Sequence, residues 1–392
     1  MTDLSEIKTL AVIACAGAYP RLVIEGAKRA GVRVVGIGAK GAVNRAEIEP
    51  LCDVYREYRA GDMAVPLRWL QEEGVHHIMM AGQVKPSVIY TLRPDKDARR
   101  LLRELDRRNA HSLFTALCNY LRDADIEVLP GTTFMEANMP EEGYHAGPEL
   151  TAEELTDARF GLSVARTIAQ LDIGQSVVVD KGRVLAVESF KGTNECIEAG
   201  GHRGHGVTLC KVTKAGHDMR FDIPCLGLGT LKHCLRAGVK RVVFEAGKTI
   251  LFDREEVEAL CTEHGISLLA LPAPATGQEP ELTEHLDDDA AHAAALARVL
   301  EQQHIGTCAV VCDGVALAVD DSDGVEKCIR RAAAYMARLR LARFIGWVAA
   351  LLTGRADPPP APMTLACVRP LTPAEERAAK RARMQILEIT SE

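Results

Sequence analysis

Apolar residues in the first third of the chain come in short unbroken runs separated by amphipathic stretches. LAVIA (10–14), VRVVGIG (32–38), HHIMMAG (76–82) and IEVLP (126–130) are short and bounded by turn residues, which predicts buried strands. Between the first two, LVIEGAKRAG (22–31) has the period of a helix, and a long charged helix is expected from about Asp95 to Arg122. Strands alternating with helices across short loops imply a parallel sheet covered on both faces.

The pattern changes after EANMPEEGYHAGPELTAEE (136–154), whose prolines, glycines and acids read as a linker. A helix is expected over Asp157–Leu171. SVVVD (176–180) and RVLAVES (183–189) then form a hairpin turning at Lys181-Gly182. After GGHRGHG (200–206) come the strand VTLCKVT (207–213) and FDIPCLGLGT (221–230), which leads into the helix LKHCLRAG. KRVVFEAG (240–247) is expected to pair in a hairpin with TILFD (249–253). A helix and the strand SLLAL (267–271) end this stretch, and PAPATGQEPELTEHLDDD (272–289) reads as a second linker.

Beyond it the chain repeats itself. IGQSVVVDKGRVLAVESFKGTNECI (173–197) aligns without gaps on IGTCAVVCDGVALAVDDSDGVEKCI (305–329), and about eleven of the twenty-five positions are identical. The glycine pairs Gly174/Gly306, Gly182/Gly314 and Gly192/Gly324 keep register. MTLACV (363–368) echoes VTLCKV (207–212), and nothing like FDIPCLGLGT follows it. The expected fold class is α/β, with two α/β domains: a Rossmann-like first domain with a parallel sheet, and a mixed-sheet second domain. A partial duplicate of the second follows. The boundaries are 1–140, 150–272, a linker at 273–290, and a degenerate repeat with an apolar helix at 291–392.

Composition narrows the function. The chain is 47% hydrophobic and 26% charged, with a formal net charge of -7, which argues against nucleic acid as a partner. MTDLSEIKTLAVIACAG has no export signal. The twelve cysteines are therefore expected to be reduced, mostly buried thiols of a cytoplasmic protein. RLRLARFIGWVAALLTGR (338–355) is an apolar helix flanked by Arg338, Arg340, Arg343 and Arg355. It reads either as a helix lying on an anionic membrane surface or as a core helix packed on the repeat.

Glycine loops at the carboxyl ends of parallel strands admit a phosphate to the backbone. CAGAYP (15–20) and AGQVKP (81–86) are two such loops, and GLGT (227–230) is a third. Neither of the first two is the G-x-G-x-x-G of a nicotinamide site. Asp222, just before the third loop, is a carboxylate suited to holding Mg²⁺ or orienting water, or else a loop aspartate. Lys211, Lys214 and Arg220 are three cations suited to a diphosphate, or else a solvated strand edge. Gly192 and Thr193 offer a backbone N–H and a hydroxyl to a phosphate oxygen. In the repeat, Glu188, Thr193, Asn194 and Gln175 become Asp320, Val325, Glu326 and Thr307, which would not serve an anionic ligand. His202, His205 and Cys210 lack a fourth ligand at zinc spacing.

These residues resemble a known family. LDIGQSVVVDKGRVLAVESFKGTNE (171–195), LCKVTKAGHDMRFDIPCLGLGTLKHCLRAG (209–238) and VVFEAGKTILFDREEV (242–257) are similar to the carboxyl-terminal domain of LpxI-type UDP-2,3-diacylglucosamine pyrophosphatases. AVIACAGAYP (11–20) and MMAGQVKP (79–86) resemble the first domain of that family. The resemblance covers about residues 8–272, and residues beyond about 280 have no counterpart in it. It implies Mg²⁺- or Mn²⁺-dependent hydrolysis of UDP-2,3-diacylglucosamine to UMP and 2,3-diacylglucosamine 1-phosphate, a step of lipid A synthesis. It also implies a homodimer and peripheral contact with the cytoplasmic face of the inner membrane.

By the same resemblance Asp222 is the essential acid and metal ligand, with Thr193 and Asn194 beside it. Gly17, Ala81, Gly82, Gln83, Val84, Gln175 and Gly192 would line the substrate cleft. Asn194 stands where the family usually has an acid, and Lys191 where it usually has Glu. The alternatives are a nucleotide-sugar oxidoreductase and a non-catalytic UDP-lipid-binding protein.

Overall fold

Each apolar run of the first third contributes a strand, and most of its apolar residues are buried. The computed structural model describes residues 4–82, 94–104, 110–189, 192–213, 219–220, 223–272, 288–337 and 362–389. Its contacts divide the chain into two units. One is Met1–Met139 with His217–Ile223, and the other is Pro140–Gly216 with Pro224–Glu392.

In the first unit β1 (Thr9–Ala14), β2 (Arg33–Ala39), β3 (Val54–Tyr58), β4 (His77–Ala81) and β5 (Glu127–Val128) form a parallel sheet of order β3-β2-β1-β4-β5. Leu10, Ala11, Val12, Val34, Val35 and Ile37 are fully buried. Helices α1 (Tyr19–Arg29), α2 (Ala64–Glu72), α3 (Lys96–Glu104) and α4 (Ala110–Arg122) accompany the sheet. Of the single helix expected from Asp95 to Arg122, Lys96–Glu104 and Ala110–Arg122 are helical, and residues 105–109 lie outside the described residues. The edge strand β3, VYREY, is half-buried along its length, and its Arg56 and Glu57 break the apolar run that marks its neighbours.

The second unit contains β6 (His145–Ala146), α5 (Ala152–Gln170), β7 (Ser176–Asp180), β8 (Arg183–Val187), α6 (Thr193–Gly201), β9 (Val207–Lys211), β10 (Cys225–Leu226), α7 (Leu228–Ala237), β11 (Val239–Glu245), β12 (Ile250–Leu251), α8 (Arg254–His264) and β13 (Ser267–Leu271). The main sheet has the order β6-β13-β11-β9-β7-β8. Two expectations are corrected here. The stretch read as a linker contributes β6 and the start of α5, where Thr151 and Glu154 form a reciprocal capping box. TILFD does not pair with β11, because β9 and β13 already occupy both edges of that strand; instead β12 pairs in parallel with β10.

The remainder is α9 (Asp289–Gln302), β14 (Cys308–Cys312), β15 (Val315–Val319), α10 (325–337), β16 (Thr364–Cys367), α11 (Pro373–Arg381) and β17 (Gln385–Glu388). Its sheet order, β15-β14-β16-β17, reproduces β8-β7-β9-β11 with the same strand directions. Even the irregularity in the hairpin recurs, between Val178 and Val179 in one copy and between Val310 and Val311 in the other. The copy therefore runs further than the sequence suggests, through a crossover helix and a fourth strand. Gly174 and Gly306 keep register for a steric reason, since a Cβ at either would strike the carbonyl oxygen of Glu188 or Asp320. One continuous core joins α5 (Ala158, Leu162, Ala165, Ile168) to α9 (Ala293, Leu296, Ala297, Leu300), so the repeat is part of the second unit's interior.

Residues 338–361, including the expected apolar helix, lie outside the described residues. Among the described residues no helix is long and apolar enough to cross a membrane.

Candidate functional site

The strand order of the first unit reverses between β1 and β4, and the loops leaving those two strands meet there. The Cys15 N–H donates to the Ala81 carbonyl at 2.8 Å. Gly82 has φ +100°, and a Cβ there would sit 2.6 Å from the Ala16 carbonyl oxygen, so only glycine allows the two loops to approach. Gly17, at φ +98°, has open space on its Cβ side. The structure thus brings Gly17, Ala81 and Gly82 to one crevice; Gln83 and Val84 lie outside the described residues.

In the second unit, three strand ends and one helix start converge. Gln175 and Ser176 open β7, Glu188 follows β8, Lys211 closes β9, and Gly192 caps α6 with φ +84°. Lys211 is 6% exposed, and its Nζ donates to Thr193 Oγ1 at 3.0 Å and to Ser176 Oγ at 3.4 Å. Thr193 Oγ1 in turn donates to Glu188 Oε2 at 3.1 Å. A charged lysine, a relaying hydroxyl and a carboxylate therefore form one chain at the N-terminus of α6. Lys211 is no solvated strand edge, and this chain is what makes its burial tolerable. The Gly192 N–H is already given to Ser189 O at 2.8 Å, which leaves the loop's shape, rather than that amide, as its contribution. Gln175 accepts the Val212 N–H at 3.0 Å through its carbonyl, and Asn194 is exposed on α6.

A second buried network fixes the end of β9. Arg166 of α5 donates to the Thr213 carbonyl at 2.7 Å and to Glu245 at 2.8 Å. Glu245 accepts the Thr213 N–H at 2.9 Å and pairs with Lys248 at 2.9 Å. Burial pushes the Glu245 carboxyl up, but the Thr213 N–H, Lys248 and Arg166 outweigh it and hold it below the usual carboxylate range. Sequence reading missed both residues; they are 79 positions apart, and no local pattern pairs them.

Thr213 is the last described residue before the segment carrying Lys214 and Asp222, which both lie outside the described residues. On the far side, Met219 accepts the Gly131 N–H at 2.6 Å, and a Cβ at Gly131 would meet Ile223 and the Tyr19 hydroxyl. Met219, Arg220 and Ile223 thereby group with Gly131 in the first unit. Among the described residues no three His, Cys, Asp or Glu side chains gather as cation ligands.

The model of the LpxI C-terminal domain matches residues 141–269 and again 274–346, and that of the LpxI N-terminal domain matches residues 9–138. The chain belongs to the LpxI family. The second match corrects the expectation that the chain beyond about 280 has no counterpart in that family. UDP-2,3-diacylglucosamine pyrophosphatase LpxI of Caulobacter vibrioides is 30% identical over 243 residues, covering 58% of this chain and 86% of that protein. Two solved structures are far more distant. The biotin carboxylase subunit of pyruvate carboxylase (12% identity, TM-score 0.20) spans 47% of this LpxI-type chain, which covers 38% of it. N5-carboxyaminoimidazole synthetase from Staphylococcus aureus (13%, TM-score 0.18) also spans 47%, and the chain covers 41% of it. Such scores carry no argument.

Proposed function

We propose that this LpxI-family protein hydrolyses the diphosphate of UDP-2,3-diacylglucosamine to UMP and 2,3-diacylglucosamine 1-phosphate, as a step in making lipid A. Family membership makes it a hydrolase of a diphosphate bond, and the named relative supplies the substrate. The observation that carries the reading is the Lys211–Thr193–Glu188 chain at the glycine-capped start of α6. A lysine fixed in a desolvated pocket beside a helix N-terminus lowers the cost of charge that accumulates on a phosphate as its bridging bond breaks. Water supplies OH to one phosphate and H to the other, so the atoms balance without a further reactant.

Asp222 is proposed as the acid that orients this water and as the ligand of Mg²⁺ or Mn²⁺. A divalent ion so held would offset diphosphate charge. Gly17, Ala81, Gly82, Gln83, Val84, Gln175, Gly192, Lys214 and Arg220 are proposed as substrate contacts. A homodimer and a peripheral contact through residues 338–355 with the inner membrane are further parts of the reading.

The test is UMP release from UDP-2,3-diacylglucosamine in detergent. Wild-type turnover is expected, falling about a thousandfold or more in Asp222→Ala and abolished by chelation. Near-normal turnover in the variant overturns the role of Asp222. Substrate binding without UMP release, with Mg²⁺ or Mn²⁺ supplied, overturns the hydrolase in favour of a UDP-lipid-binding protein.

A further inference from the structure

The repeat has lost the groups that would serve a substrate, yet it is the repeat's own counterpart of the site loop that reaches the first copy. Asp321, Ser322 and Asp323 stand where Ser189, Phe190 and Lys191 stand in the first copy. Ser322 Oγ donates to the Leu185 carbonyl of β8 at 2.8 Å. Arg203, just past the end of α6, donates to the same carbonyl, to Asp321 Oδ1 at 3.1 Å, to Ser322 Oγ at 3.1 Å, and to Asp323. From α10, Arg331 closes the ring, with Nη2 3.4 Å from Asp321 Oδ2 and Nη1 3.5 Å from Asp323 Oδ2. Arg331 is fixed in turn by the Val319 carbonyl at 2.7 Å.

The Asp321 side chain is 3% exposed between the two guanidinium groups. A buried ion pair adds little net stability against well-packed apolar side chains, but it fixes the register of whatever carries its members. What this one carries is α6 and β8, the two elements that hold Thr193 and Glu188. A small cavity behind the site loop is walled by Ser189, Gly192 and Cys196 of the first copy and by Asp321 and Arg331 of the repeat. Burial pushes the Cys196 thiol up, and the charges acting on it are Glu188 and Lys211 of the site and Asp321 and Arg203 of the ring. Its Sγ lies 3.7 Å from the Ser176 carbonyl oxygen. One layer of side chain separates the two charge clusters.

We infer that the repeat acts as a bracket, in which Asp321, Arg203 and Arg331 are positioning residues that hold Glu188, Thr193 and the start of α6 in the geometry the substrate needs. This deepens the proposed function and rests on it for the loop's role. The effect of the ring on the substrate passes through the loop.

The test uses the full chain with Asp321→Asn, which keeps the side chain's shape, and Arg331→Lys, which keeps the charge but not the fork. Two quantities are read: amide hydrogen exchange over residues 192–201 without substrate, and kcat and KM for UMP release. In Asp321→Asn, exchange over 192–201 is expected to rise about tenfold while the β9 and β11 amides stay protected. KM is expected to rise about tenfold with kcat within about twofold. Arg331→Lys falls between wild type and that variant. Unchanged protection over 192–201, or a uniform loss of protection across the unit, overturns the bracket. A wild-type protein that releases no UMP defeats the proposed reaction instead, and the bracket then stands or falls on exchange alone.

Discussion

The two copies of the second-domain motif occupy the same topology and treat their polar positions in opposite ways. Ser176 and Lys211 face each other across β7 and β9, and Lys211 reaches over the pair to Thr193. The equivalent positions across β14 and β16 hold Cys308 and Cys367, joined in a disulfide with Cα atoms 4.3 Å apart. That bond corrects the expectation that all twelve cysteines are reduced: directly opposed positions of an antiparallel pair put two thiols in bonding range. Thr193 becomes Val325, 1% exposed in the repeat's core. Asp320, in the place of Glu188, folds onto the start of the neighbouring strand β14 and accepts the Thr307 and Cys308 N–H groups at 2.6 Å each. The first copy holds hydrogen-bonding groups at the mouth of a helix, while the second spends the same positions on itself. Topology alone therefore does not make the site. Its presence depends on whether polar side chains stay available beyond the fold's own needs.

Within this comparison the largest effect should come from converting one copy into the other. In Ser176→Cys/Lys211→Cys the backbone register is unchanged and the cation is gone. UMP release is expected to fall about a hundredfold or more with the fold intact by circular dichroism. Turnover within about threefold of wild type would remove Lys211 from the site.

The reverse comparison is made in the repeat. Thiol titration of the denatured, unreduced chain should count ten free cysteines, against twelve after reduction. Cys308→Ala/Cys367→Ala should lower stability by about 2–4 kcal/mol while leaving KM nearly unchanged. A count of twelve before reduction would show the pair unbonded, and the contrast with Ser176 and Lys211 would rest on side-chain polarity alone.

What could be read in advance follows from how local each cause is. The hairpin turn was legible because Lys181 and Gly182 both take positive φ, a pairing that a glycine announces. Its equivalent, Asp313-Gly314, repeats it, and in both copies a helix aspartate clamps the turn: Asp157 takes the Gly182 N–H and Asp289 the Gly314 N–H, each at 2.7 Å. The burial of Lys211 was not legible, since its partners arrive from β7 and α6 and a strand-end lysine ordinarily reaches solvent. Nor was the pairing of TILFD with β10, because a strand already flanked on both sides leaves no local trace in sequence. The affiliation of Met219 and Ile223 with the first unit is equally hidden, since it depends on Gly131 far upstream.

The smallest test concerns the crossover helices. α7 starts at Gly227 with no side-chain cap, as a loop kept for a phosphate would. α11, its counterpart in the repeat, closes its own start. Thr372 Oγ1 accepts the Glu375 N–H, and the Glu375 carboxylate accepts the Thr372 N–H at 2.7 Å and pairs with Arg369 at 2.7 Å. The Arg369 hydrogen bond, opposed by burial and helped by the Thr372 N–H, brings the Glu375 carboxyl down to about 2. A pKa lowered by folding gives stability that is complete above the unfolded value, about 4.3, and is lost as pH falls toward the folded one. Glu375→Gln keeps the cap's shape but not its charge, so wild type should exceed it by about 1–2 kcal/mol near neutral pH. That margin should close between about pH 4.5 and pH 2 in urea unfolding. A margin that does not change with pH would mean that the cap works by hydrogen bonding alone, and that the repeat's self-sufficiency at this helix owes nothing to the Glu375–Arg369 pair.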